Sequence, residues 1–156
     1  MASGVQPPSA AFLTRLLQML RQVPAFPMFG SGDTRLQPVY VEDVGEASAR
    51  VLQVPDPHRV YELAGPRIDT YRRLLRALIG AVGNRPLLVP TPFTLWHTMG
   101  YLAEFLPNPP ITRSQVELME GDSIVGPDAP GFDALQISPR TIEDILPEIL
   151  HSMGTA

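Results

Sequence analysis

Few side chains in this sequence combine the type and the spacing that chemistry needs. Glu42, Asp43 and Glu46 place three carboxylates within about one helical turn, and residues 42 and 46 share a helix face. Paired acids of that kind suit acid–base work or a cation site. Two acids in a first turn also suit the positive end of a helix dipole, and capping is the better reading. Gly30-Ser-Gly32 would let backbone amides approach a phosphate. A strand and not a helix is expected after it, however, which is the setting of an ordinary turn. His58, His97 and His151 lie far apart with no other ligand at metal spacing, so no metal site is expected. No Gly-x-Ser-x-Gly elbow exists to activate Ser31 or another serine.

Composition narrows the chemistry further. All twelve cations are arginine, which removes Schiff-base, P-loop and Tyr-x-x-x-Lys chemistry from these residues. No catalytic residue and no cofactor-binding residue is therefore assigned within the chain. Without cysteine there is no disulfide or thiolate, which fits a reducing compartment. A formal charge of −4 and the lack of a basic run argue against nucleic acid as a partner. No stretch has the ~18–20 apolar residues of a bilayer span, so no transmembrane segment is expected. At 156 residues the chain is long enough for one domain, placed at 9–151 between a leader, 1–8, and a tail, 152–156.

Eighteen prolines must cut the chain into short elements. Phe12, Leu13, Leu16, Leu17 and Leu20 recur at helical steps up to about Gln22, where Pro24 ends the helix. Phe26 to Phe29 and Pro38 to Val41 read as short strands, with a helix opening at Glu42-Asp43 and turning Val44, Ala47, Val51 and Leu52 inward. Val60 to Ala64 reads as another strand. Asp69 is the expected N-cap of a helix with Tyr71, Leu74, Leu75, Leu78, Ile79 and Val82 on one face, ended by Gly83-Asn84. Leu87 to Val89 is a short strand. Residues 93–106 form a helix apolar nearly all round, which must be buried against something. Core packing is expected for Trp96, Met99, Tyr101 and Phe105, over a docking face. Thr112 to Gln115 has capping-box spacing, and a loop covers 121–131. Ser138-Pro139 should start the last helix, with Ile142, Ile145, Leu146, Ile149 and Leu150 buried and a kink or restart at Pro147. The class is α/β, mostly helical with three or four short strands.

The ordered segments 29–47, 60–66 and 70–75 resemble extended short-chain dehydrogenases of the epimerase/dehydratase kind. Among the residues that carry the likeness are Phe29-Gly-Ser-Gly-Asp33, Pro38-Val-Tyr-Val-Glu-Asp43, Val60-Tyr-Glu-Leu-Ala-Gly-Pro66 and Thr70-Tyr-Arg-Arg-Leu-Leu75. With Leu87-Leu-Val-Pro-Thr-Pro92 and 106–118, the pattern is similar to the atypical NAD(P)-binding branch that includes the accessory subunit of respiratory complex I and its bacterial relatives. This resemblance covers roughly 8–150. It implies that the chain is the C-terminal substrate-domain portion of such a protein, without the glycine-rich first half of the Rossmann sheet.

The same resemblance, and nothing in composition or spacing, implies roles for individual residues. Arg35 would contact a substrate diphosphate, with a surface position or a salt bridge to Asp33 or Asp43 as the alternative; Gln37 and Tyr40 would line the substrate pocket; Asp43 would be a structural cap holding the loop before the helix. The parent would bind NAD(P), the missing groups lying ahead of residue 1. Strand 60–64 would add to the edge of the cofactor-binding sheet, so the chain would pair with that half or with itself as a homodimer. Respiratory-complex subunits are further candidate partners. The expected function is a non-catalytic substrate- or partner-binding region, or alternatively an assembly module whose 93–106 helix docks on another subunit or a membrane surface. The expected place is the bacterial cytoplasm, or its membrane periphery.

Overall fold

Prolines and glycines mark most element boundaries of the computed structural model, which describes residues 8–54, 60–103 and 113–154. In chain order these are α1 (Pro8–Gln22), β1 (Ala25–Phe29), β2 (Arg35–Leu36), α2 (Val41–Val51), β3 (Asp69–Thr70), α3 (Tyr71–Val82), β4 (Leu87–Thr91), α4 (Phe93–Ala103), α5 (Arg113–Glu120), a 3-10 turn (Asp133–Leu135) and α6 (Ile142–Gly154). The class is α/β, about half helical, with four short strands among the described residues.

Two compact units divide the chain, each assembled from segments far apart in sequence. The first takes in 1–19, 37–68 and 124–156. Ala47 of α2 packs there with Phe132, Leu135 and Ile137, and Val39, Val44, Val51, Val54, Tyr61 and Leu63 close around them. Ile145, Leu146 and Ile149 of α6 are also buried. The second unit takes in 20–36 and 69–123. β1 and β4 run parallel in it, from Ala25 opposite Leu87 to Phe29 opposite Thr91, while β2 and β3 pair antiparallel. Phe26, Met28, Leu74, Leu75 and Leu78 are its buried apolar centre, together with Trp96 and Val116.

Local chemistry explains most boundaries. Gly83 takes φ 74° and closes α3, a left-handed conformation that glycine adopts without a Cβ penalty. Asn84 then donates its side-chain amide to Leu20 O and Arg21 O, satisfying carbonyls at the end of α1. Thr141 and Asp144 form a reciprocal capping box. The Thr141 hydroxyl accepts from the Asp144 amide at 3.2 Å, and the Asp144 carboxylate accepts the Thr141 amide at 2.9 Å. The hydroxyl and amide of Thr141 together hold the Asp144 carboxyl below its usual range.

Several expected details differ, most of them for a local reason. Residues 38–41 are not a strand: Pro38 has no amide to give, and the ladder forms instead between Arg35–Leu36 and Asp69–Thr70. Residues 60–64 alternate inward at Tyr61 and Leu63 but make no strand, because Glu62 N donates to Pro130 O and that proline has no N–H to return. Thr70, not Asp69, caps α3 by accepting from Arg73 N. Asp69 is buried beside Arg73 in an ion pair of 3.1 Å. The last helix starts at Ile142, past Ser138-Pro139, and runs through Pro147. Leu52, expected inside, is 88% exposed.

Gly65 is the tightest backbone approach in the first unit. A Cβ there would sit 1.9 Å from Pro38 O, a backbone atom that cannot swing aside. Gly65→Ala is expected to lose about 2–4 kcal/mol of stability, read as a lower urea midpoint at unchanged slope, whereas Gly80→Ala, which meets nothing within 4 Å, should be neutral or stabilising.

Candidate functional site

Asp43 is 4% exposed and lies in the first turn of α2, but it does not cap that helix. Its carboxylate accepts the Arg140 amide at 2.7 Å on one oxygen and Arg140 Nε at 2.9 Å on the other. The loop it holds is thus the one before α6. Arg140 Nη2 also reaches Glu42 at 3.0 Å, and the guanidinium stacks 4.2 Å above the centre of the Tyr40 ring. Burial, and then the negative charge of Glu42, push the Tyr40 phenol above its ordinary value. Tyr40 is buried, so its ring serves this cluster and leaves little surface for a ligand. Glu46 pairs with Arg50 at 2.6 Å, and the three acids of α2 are therefore divided between two arginines.

Gln37 is a brace. Its amide nitrogen donates to Gly65 O at 2.9 Å and its amide oxygen accepts from Val125 N at 3.2 Å, tying three segments of the first unit. Nearby, Arg67 binds Glu143 at 2.5 Å and lowers that carboxyl.

Arg35 belongs to the second unit, and its partner is Asp122, not Asp33 or Asp43. The Arg35 amide donates to one carboxylate oxygen at 2.8 Å, and Nε and Nη2 reach the other at 2.8 and 2.7 Å. Those bonds, the amide first and the guanidinium next, hold the Asp122 carboxyl below its ordinary value. The Arg35 side chain remains 56% exposed.

Gly30-Ser-Gly32 does not fit a pyrophosphate. The Gly30 amide donates to Thr91 O at the end of β4 and the Gly32 amide to Phe29 O within the turn, both at 2.9 Å, so two of the three amides are already committed to backbone carbonyls. Both glycines have positive φ, and a Gly32 Cβ would strike Met28 Sδ at 2.4 Å. The turn is further pinned because Arg72 donates to Ser31 O. Beside it, Phe29 packs on Trp96 at 4.4 Å and Tyr71 at 5.8 Å, and burial raises the Tyr71 phenol. Among the described residues no three His, Cys, Asp or Glu groups come together as metal ligands.

Gln37, Tyr40 and Asp43 thus share one unit, and Arg35 lies in the other. Arg140 and Asp122, the two partners that define these clusters, were not legible as such. Each sits 87 or more positions from its mate, and only Arg140's place just after Ser138-Pro139 hinted at a boundary. His58 and Phe105 lie outside the described residues.

No family model matches the chain. It is 29% identical over 135 residues to NADH dehydrogenase [ubiquinone] 1 alpha subcomplex subunit 9, mitochondrial, of Arabidopsis thaliana, covering 80% of this chain and 34% of that protein. The proteins of the same name from Rattus norvegicus and Mus musculus are 27% and 26% identical over 84% of this chain and 36% of their own length. The chain therefore spans about a third of the curated relatives it matches. A crystal structure of gox2253 superposes with a TM-score of 0.58 at 20% identity, over 93% of this chain and 43% of that one, a likeness of fold.

Two substitutions separate the roles of the acids. Asp43→Ala strands the Arg140 amide and guanidinium and should cost about 2–4 kcal/mol, while Glu42→Gln at the exposed end should cost under ~1 kcal/mol, both by urea denaturation. Because the Asp122 carboxyl is lowered on folding, its contribution is complete above the ordinary value near ~3.9 and is lost as the pH falls through the lowered one. The Tm difference between the native chain and Asp122→Asn should therefore be widest at neutral pH and shrink as the pH falls below the ordinary carboxylate value.

Proposed function

We propose that this chain is the C-terminal substrate- or partner-binding region of an NAD(P)-dependent, short-chain dehydrogenase-like protein, and that it does no chemistry alone. The observation that carries the reading is the sequence likeness to NADH dehydrogenase alpha subcomplex subunit 9 over four-fifths of the chain. It is supported by the use to which the polar groups are put. Asp43, Gln37, Glu42 and Glu46 are bound to other protein groups, and both glycine amides of the 30–32 turn are bonded to backbone carbonyls. NAD(P) would be held by residues outside this sequence. Arg35, more than half exposed, would be the group left to meet an anionic substrate once Asp122 is displaced. Its partners would be the dinucleotide-binding half, a second copy of itself, or subunits of a respiratory assembly.

No helix among the described residues is long and apolar enough to cross a membrane. Residues 60–64 keep an alternating pattern with Val60 79% exposed, and this segment is the edge along which a second copy would pair. Calorimetric titration of the chain with NADH and NADPH should show no saturable binding, and a micromolar affinity overturns the reading. Light scattering across a dilution series should show a dimer, and a strictly monomeric chain removes self-pairing from the proposal.

A further inference from the structure

The parallel ladder of β1 and β4 has two outer edges, and its register fixes which backbone groups point to them. Leu87 N donates to Pro24 O at one end of the ladder and Gly30 N to Thr91 O at the other, both at 2.9 Å. Along a strand the N–H and C=O of successive residues turn to opposite sides. With Ala25 opposite Leu87 and Phe29 opposite Thr91, residues 87, 89 and 91 therefore face β1, and 88 and 90 face away. On β1, residues 26 and 28 face β4, while 25, 27 and 29 face away.

The central outward position of β1 is Pro27, and β4 has Pro90 at its second. Both are exposed, and neither has an amide to give. Pro86 and Pro92 flank β4 in the same alternation, so Leu88 alone supplies an N–H along 86–92 on that side. Ala25 and Phe29 still carry amides on the β1 side, but Pro27 separates them, and Phe29 O already accepts Gly32 N. An added strand would find no two consecutive donors on either edge.

The usual deterrent to such addition is charge, and here it is missing. Ala25–Phe29 and Leu87–Thr91 contain no charged residue, and Ala25, Pro27, Leu87 and Val89 form an exposed apolar face. An uncharged apolar ladder with open edges is a template for strands of other molecules. Among the described residues no third strand joins it.

We propose that Pro27 and Pro90 close both edges of the β1–β4 ladder to strand addition, so that neither a second copy nor another protein extends it. The inference stands on the ladder's register and is independent of the dinucleotide-family reading. A dimer that pairs strands must then use another segment, such as 60–64.

Hydrogen exchange on the full chain tests the register. The amides of Phe26, Met28 and Val89 should be protected, and those of Ala25 and Leu88 should exchange roughly tenfold faster or more. Equal protection of all five means that the edges are already occupied and overturns the proposal. Pro27→Thr with Pro90→Thr restores both amides in a good strand former without adding apolar surface, and leaves every ladder bond in place. This pair should keep the native circular dichroism, while its mass by light scattering rises with concentration to roughly twofold or more above that of the native chain. Pro27→Lys with Pro90→Lys loses the same two rings but charges each edge, and should scatter like the native chain. A folded threonine pair no more associated than the native chain overturns the proposal, and so does equal association of the lysine pair, which assigns the effect to a looser fold. If the threonine pair does not fold, Pro90→Thr alone, which opens the β4 edge, is read in the same way.

Discussion

Each unit is closed by an arginine that gives both its backbone amide and its guanidinium to a single distant carboxylate. Arg140 does so to Asp43 and Arg35 to Asp122, across 97 and 87 positions of sequence. This geometry fixes the backbone and side chain of one residue together, so the carboxylate sets the path of a loop and not merely a surface contact. The rest of the first unit depends on it. With Arg140 held at α2, Thr141 is left to cap α6, and the stripe of Ile145, Leu146 and Ile149 is presented for burial.

The two pairs differ in what burial asks of them. Asp43 is almost fully enclosed and must keep its partner, because an unpaired charge there would lose its hydration without compensation. Asp122 and Arg35 remain partly in water, where screening makes the pair cheap to open. An exchangeable arginine, Arg35, and a committed carboxylate, Asp43, therefore stand at the two ends of one short segment, residues 35–43. That contrast in burial, and not the presence of charged residues as such, separates a pair that can open from one that holds the fold.

The helices were legible in the sequence because periodicity and end signals agree locally. Leu74, Leu75 and Leu78 recur on one face of α3, Gly83 supplies the left-handed terminus, and Pro24 comes just past the end of α1. The short strands were less so. Two-residue ladders such as Arg35–Leu36 with Asp69–Thr70 have no alternation to read, and Val60 to Ala64 has alternation without a partner whose backbone can answer it.

Composition determined on its own that these residues carry no lysine or cysteine chemistry, since no folding can supply a missing functional group. Only the tertiary structure decided which arginine meets which acid, and which side of α4 faces out. A salt bridge between residues 87 positions apart leaves no local signature. A helix apolar on all sides, such as 93–103, has no moment from which its orientation can be inferred, so the choice falls to the neighbours it packs against: Trp96 goes inside with Phe29, and Leu102 is left outside.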